Sequence, residues 1–156
     1  MFMKIAIFSD LHDNLTNLDK FLAWCQKNEI EKIICLGDLT DDETYKKLAS
    51  FLGDLFMVYG NADSYLPKSP EILAVNIARL KLVLIHKPEL TRQAIEENNP
   101  DYVLFGHTHK PGLEEYFNMG KRVWLLNPGT LGGIFYRATF AVITDGVAEL
   151  KILELL

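Results

Sequence analysis

Seven side chains that can hold a divalent cation each follow a short apolar run: Asp10, His12, Asp38, Asn61, His86, His107 and His109. The densest group lies in Leu104-Phe105-Gly106-His107-Thr108-His109-Lys110-Pro111, where an apolar run ends in a glycine and two histidines follow at alternate positions. Imidazoles are poor core formers and good metal ligands. All four histidines of the chain are in this set, and none falls on a helix face. Each piece also has an ordinary reading. Asp10 and His12 suit a turn and a helix cap, Asp38 a turn, Asn61 and Asp63 a turn after Gly60, and His86 a strand end. Those readings must all hold independently, whereas one metal site accounts for the set.

The mixture of donors narrows the chemistry. A single zinc site needs three or four ligands, while seven suit two cations that share a bridging carboxylate. Imidazole and carboxylate donors without thiolate favour manganese, iron, nickel or zinc. Two such ions clamp the attacking and leaving oxygens of a displacement and lower the pKa of a water. Two aspartates against two dications leave a net positive site, which draws phosphate to a chain of net charge −5.

A strand–helix–strand–helix–strand run positions the first ligands. Lys4 to Phe8 reads as a strand buried on both faces. Leu15, Leu18, Phe21, Leu22 and Cys25 then recur at helical spacing, with Asn14 or Thr16 as cap and Asn28 as stop. Lys32 to Leu36 is a second strand ending at Gly37-Asp38. A helix follows from about Asp42 to Phe51, with Asp41 and Asp42 at its positive end. Asp54 to Tyr59 is a third strand ending at Gly60-Asn61, before a loop with Pro67 and Pro70. The rest is mostly strand. Ile72 to Ile77 and Leu80 to Ile85 form a hairpin turned near Ala78-Arg79. Glu89 to Asn98 is helical and stops before Pro100. Tyr102 to Phe105, Leu113 to Asn118 and Arg122 to Leu126 are strands. Asn127-Pro128-Gly129-Thr130-Leu131-Gly132-Gly133 is a loop. Ala138 to Ile143 and Val147 to Leu153 form a hairpin turned by Asp145-Gly146. The expected class is α/β, with an α/β first half and a β-rich second half packed in layers. In open α/β sheets ligands bind outside the carboxyl ends of the strands. Parallel neighbouring strands would therefore bring the seven donors to one rim.

Size and composition fit one domain, 1–156, with 49% hydrophobic and 24% charged residues. The acidic balance gives no basic surface for DNA or RNA, so stable nucleic-acid binding is not expected. No apolar stretch reaches membrane-spanning length, and Ile5 to Phe8 is too short for a signal peptide. Cys25 reads as a helix residue and Cys35 as a small buried strand residue, which suits a reducing cytoplasm.

The ordered set Asp10-Leu11-His12, Gly37-Asp38, Gly60-Asn61-Ala62-Asp63, His86 and Gly106-His107-Thr108-His109 resembles the calcineurin-like metallophosphoesterase family. The short chain and its Asn127-Pro128-Gly129-Thr130 turn look most like the small prokaryotic phosphodiesterase branch. The resemblance runs from Lys4 to about Ile143. It implies a metallophosphoesterase-type sandwich of two mixed β-sheets flanked by helices, with metals at the strand ends. It further implies that Asp10, His12 and His109 bind one divalent ion, that Asn61, His86 and His107 bind the other, and that Asp38 bridges them. The ions would be manganese first, with nickel, zinc, iron or magnesium as alternatives. Asp38 and Asn61 would then belong to the catalytic centre, Asn61 also holding substrate, and Asp63 would orient a neighbouring histidine.

Two positions depart from the family pattern. Many members carry a histidine after the asparagine of the GN motif, as acid or transition-state donor, where this chain has Ala62. The branch commonly has glycine after His86, where Lys87-Pro88 stands. Lys87 either reaches a substrate phosphate or points into water. The implied function is hydrolysis of a small phosphoester, most of all a diester. A phosphomonoesterase or nucleotidase would want extra cations, with Arg92, Arg122, Lys87, Lys110 and Arg137 as candidates. A scaffold that binds protein partners, like the retromer subunit resembling this family, is the reading from another class. Phe135, Tyr136 and the apolar Ile152 to Leu156 would serve as a partner surface, a homo-oligomer contact or core.

Overall fold

The computed structural model describes residues 3–63 and 69–156. Pro67 lies outside them. The chain alternates strand and helix at first: β1 (Lys4–Phe8), α1 (Leu15–Lys27), β2 (Lys32–Cys35), α2 (Asp42–Ala49) and β3 (Asp54–Met57). It continues with β4 (Ile72–Ile77), β5 (Leu80–Ile85), α3 (Thr91–Asn98), β6 (Tyr102–Leu104), β7 (Gly112–Asn118), β8 (Lys121–Asn127), β9 (Thr139–Thr144) and β10 (Val147–Ile152). These make two mixed five-stranded sheets, ordered β10-β9-β1-β2-β3 and β4-β5-β6-β8-β7. In the first, β1, β2 and β3 run parallel and β9 joins β1 antiparallel, pairing Lys4 with Thr144. In the second, β5, β6 and β8 run parallel.

The two-residue alternation of side chains sorts the core into layers. Ile5, Ile7, Ile34 and Leu36 face inward against Leu82, Leu84, Leu104 and Leu126 of the other sheet. Ala6, Phe8, Ile33 and Cys35 face outward under Leu18, Phe21 and Cys25 of α1 and Leu48 of α2. On the far face of the second sheet, Val83, Ile85, Val103 and Val123 pack under Ala94 and Ile95 of α3. Phe8 and Phe21 pack at 5.0 Å between ring centres, tilted by 57°. Removing a ring buried this deeply costs about 3–5 kcal/mol, so this contact fixes α1 against β1.

Local signals set the helix ends. Asn14 accepts a bond from Asn17 N at 3.0 Å and Asp41 one from Thr44 N at 2.7 Å, each satisfying a free amide of a first turn. The stretch expected as one helix from Glu89 divides into a 3₁₀ turn, Pro88–Leu90, and α3. Asn99 closes α3 in a left-handed conformation, φ 47°. The second and third strands stop short of Leu36 and Tyr59, although Leu36 N still donates to Phe8 O and Val58 N to Cys35 O. At the C-terminus Leu153 is core, while Phe135, Tyr136, Leu155 and Leu156 are exposed. Both cysteines are buried and free. Among the described residues no helix is long and apolar enough to cross a membrane.

Candidate metal centre

The carboxyl ends of the parallel strands carry the seven donors, but from two sheets rather than one. Asp10, His12, Asp38 and Asn61 follow β1, β2 and β3 of the first sheet, and His86, His107 and His109 follow β5 and β6 of the second. The expected single rim is thus two rims face to face. Five of the seven have left-handed backbone: Asp10 at φ 54°, His12 at 47°, Asp38 at 58°, His107 at 70° and His109 at 64°. This conformation turns the chain sharply at the strand end. Two glycines allow the loops to close up. A Cβ on Gly60 would strike the Asp38 carboxylate, and one on Gly106 would strike Ser9 Oγ.

The donors fall into two groups. Asp10, His12 and His109 form one, and Asp38, His86 and His107 the other; within each, one ligand atom per residue lies within 4.8 Å of the others. His109 Nε2 is 3.3 Å from Asp10 Oδ1 and 3.3 Å from His12 Nε2. His86 Nε2 is 3.4 Å from Asp38 Oδ2 and 3.2 Å from Asn61 Oδ1. Asp38 Oδ2 also lies 3.8 Å from His12 Nε2, so one carboxylate faces both groups.

The proton positions follow from the carbonyls. His86 Nδ1 is 2.6 Å from Leu36 O, and His109 Nδ1 is 3.2 Å from Ile134 O. A carbonyl only accepts, so each Nδ1 carries the hydrogen and each Nε2 turns a lone pair into the site. This is how metal-binding histidines are usually held. The Nε2 lone pair of His109 then faces Asp10 Oδ1, and that of His86 faces Asp38 Oδ2 and Asn61 Oδ1. Asp10 Oδ1 is buried and has no hydrogen-bond partner among the described residues. Cations placed among these atoms would satisfy all of them, so the donor set fits divalent metal. The same crowding acts on the protons. Contact with Asp10 raises the His12 pKa above the ordinary histidine range. Burial works to lower that of His86, but contact with Asp38 outweighs it and the net shift is upward. Burial likewise works to raise that of Asp38, and the His86 contact brings it below the usual carboxylate range.

Several side chains that hold the donors were not singled out by the sequence. Ser9 Oγ donates to Asp10 Oδ2 at 2.7 Å, and His107 N donates to the same oxygen at 2.9 Å. Thr130 Oγ1 donates to Asp10 O at 2.8 Å, and Asn127 Nδ2 to Thr108 Oγ1 at 2.9 Å. For Ser9 the only signal was adjacency to Asp10; Asn127 and Thr130 lie in the turn that carried the resemblance to the small branch, without a role assigned to either. Asp63 requires a correction. It accepts from the backbone N–H groups of Asp38 at 2.6 Å, Gly60 at 2.8 Å and Thr40 at 2.9 Å. Among the described residues it bonds no histidine, because the loops after β2 and β3 meet around it and saturate its oxygens.

Lys87 lines a pocket of about 190 Å³ together with Tyr59, Asn61, Glu71 and His86. The three candidate arginines each face a glutamate: Arg92 with Glu96, Arg122 with Glu115 and Arg137 with Glu154. Lys110 lines a separate hollow with Thr108 and Asn127.

Comparison with known proteins identifies the family of this chain. The model of the calcineurin-like phosphoesterase superfamily domain matches residues 3–146. Phosphodiesterase MJ0936 of Methanocaldococcus jannaschii is 29% identical over 146 residues, covering 84% of this chain and 86% of that protein. Vacuolar protein sorting-associated protein 29 of Schizosaccharomyces pombe is 29% identical over 142 residues, covering 84% of this chain and 73% of that protein. Among solved structures, that of a novel archaeal phosphodiesterase superposes with a TM-score of 0.83 at 24% identity, covering 96% of this chain and 99% of that one.

Proposed function

Because the chain belongs to the calcineurin-like phosphoesterase superfamily, we propose that it is a metal-dependent phosphodiesterase acting on small phosphoesters. The observation that carries this reading is the shared carboxylate: Asp38 Oδ2 stands between His12 and His86, at 3.8 and 3.4 Å. Asp10, His12 and His109 would hold one divalent ion and Asn61, His86 and His107 the other, with Asp38 common to both. Manganese is the first choice, with nickel, zinc, iron or magnesium as alternatives. Such ions, when bound, polarise a phosphoryl oxygen and bring the pKa of water near neutrality.

The chain's own groups do the rest. Leu36 O and Ile134 O lock the His86 and His109 rings in one tautomer. Asn61 is exposed beside His86, and its amide is the neutral donor in place for a phosphoryl oxygen. Lys87, in the same pocket, balances the charge of the bound ester. Ala62 supplies no proton, so esters whose alcohols leave without protonation are favoured. A monoester brings one more negative charge. Among the described residues, Lys87 is the one of the five cations considered for it that lines the pocket with Asn61 and His86, which favours the diester. The free, buried Cys25 and Cys35 suit a reducing cytoplasm.

The test is hydrolysis of bis(p-nitrophenyl) phosphate by chelator-stripped protein with Mn²⁺, Ni²⁺, Zn²⁺ or Mg²⁺ restored, beside p-nitrophenyl phosphate. Metal-restored turnover, faster on the diester and abolished in folded Asp38→Asn, is the expected result. Normal turnover in that variant would overturn the assignment of Asp38. The similarity to a vacuolar sorting protein supports a second reading, a scaffold for protein partners. Neither turnover nor bound metal would make it the better account.

A further inference from the structure

The loop before β9 presents an aromatic ring that the core does not use. Phe135 is 91% exposed, yet its backbone lies at φ 66°, a region that disfavours a bulky residue. The loop carrying it is firmly held. Asn17 Nδ2 donates to Leu131 O at 2.8 Å and Asn14 Nδ2 to Gly132 O at 3.1 Å. Gly132 N donates to Asp10 O at 3.2 Å, and a Cβ on Gly132 would strike Leu11 O. The loop therefore lies flat on the backbone that bears Asp10 and His12. Its next contact is with His109, whose Nδ1–H reaches Ile134 O. The Phe135 ring ends 6.0 Å from the His109 ring, tilted by 32°.

A solvated ring on a fixed loop, beside a candidate metal ligand, gives nothing to packing and is placed to meet whatever the site binds. We infer that Phe135 is a stacking platform for one arm of the substrate, so that the site selects phosphodiesters in which one esterified alcohol carries a planar, nucleobase-like ring. This rests on the phosphodiesterase reading and names its substrate class. Every base offers a π-face, so stacking on such a ring reads planarity rather than base identity. A net charge of −5 works against a long polyanionic strand, so the ligand is taken as about one nucleoside.

Monoanionic methylphosphonate esters, whose alkyl alcohols are poor leaving groups, test this at the binding step. Thymidine 5′-methylphosphonate and ethyl methylphosphonate differ only in the nucleoside arm, and their dissociation constants from manganese-loaded protein are measured by calorimetry. The nucleoside ester is expected to bind roughly tenfold more tightly, the order of a single base stacked on an aromatic side chain. Phe135→Asn, whose new side chain tolerates the left-handed backbone, should bring the ratio close to one, and Phe135→Tyr should restore it. A ratio near one in the unmodified protein, or one unchanged in Phe135→Asn, would overturn the inference. So would an unchanged ratio with a dimer lost in Phe135→Asn, which would assign the ring to an interface. Absence of diester hydrolysis, by contrast, would strike at the phosphodiesterase reading while the calorimetric ratio still judged Phe135.

Discussion

Left-handed backbone occurs at both ends of this molecule, for opposite reasons. At the end away from the donors it makes hairpins. Met119-Gly120, at φ 50° and 82°, joins β7 to β8, and Asp145-Gly146, at 49° and 87°, joins β9 to β10. Two successive positive φ values match the twist of the paired strands. At Met119, which is completely exposed, the backbone is the purpose and the side chain incidental. At the donor end the same conformation is adopted by Asp10, His12, Asp38, His107 and His109. Here the side chain is the purpose, and the backbone bends to aim it. Such residues cost about 1–3 kcal/mol each and persist where their surroundings over-determine them. The three backbone bonds to Asp63 and the two bonds to Asp10 Oδ2 supply that constraint. Strain at a turn can be edited away; strain at the donor end cannot be relieved without losing a donor.

Substitutions at the two ends should therefore diverge. The largest effect is expected for His109→Ala, which should lower the metal bound per chain, read by elemental analysis after dialysis. Unchanged stoichiometry would remove His109 from the donor set. Asp63→Ala should follow. It strips acceptors from three amides and should destabilise the fold by about 3 kcal/mol, measured by urea denaturation of metal-free protein. A loss within error of zero would mean that the donor loops hold themselves. Asp41→Ala, which removes the cap of α2, should cost about 1 kcal/mol. Its carboxylate is held below the usual aspartate range by its bonds with Thr44. Its folded pKa is thus lower than its unfolded one. The cap's contribution is full above the ordinary aspartate range and fades as pH falls through the lowered value, so variant and parent should converge in acid. The smallest effect, and the only gain, is expected at the hairpin end. Met119→Asn should stabilise by about 0.5 kcal/mol, since asparagine accepts a left-handed turn more readily. A loss in thermal melting would show that Met119 is not the free position it looks.

Much of this architecture was legible locally. The β4–β5 hairpin, α1 with its Asn14 and Asn28 ends, and the Asp145-Gly146 turn each rest on neighbouring residues, and the structure places them as expected. The strand-end position of all seven donors was legible for the same reason. Long-range pairing was not. Nothing near Thr139–Thr144 says that this strand will lie beside Lys4–Phe8 rather than within the second sheet, because both sheets ask for the same apolar alternation. The role of Asp63 was misread because its partners are backbone amides, which leave no mark in a sequence. Ser9 was passed over, and the Asn127 to Thr130 turn was noted without roles for its side chains, because a lone hydroxyl or amide in a turn has many ordinary uses.

The place of β1 has a consequence for the order of assembly. It pairs on one side with β2, close in the chain, and on the other with β9, which begins at Thr139. The whole second sheet, from Ile72 to Asn127, is strung between those two partners. During synthesis, Lys4–Phe8 therefore waits with one edge bare while most of the polypeptide is made, and an open edge invites association with other chains. Contacts so distant in sequence are slow to form. The opening strand is thus the place where a nascent chain is most vulnerable, and the arrival of β9 is the step that closes the window.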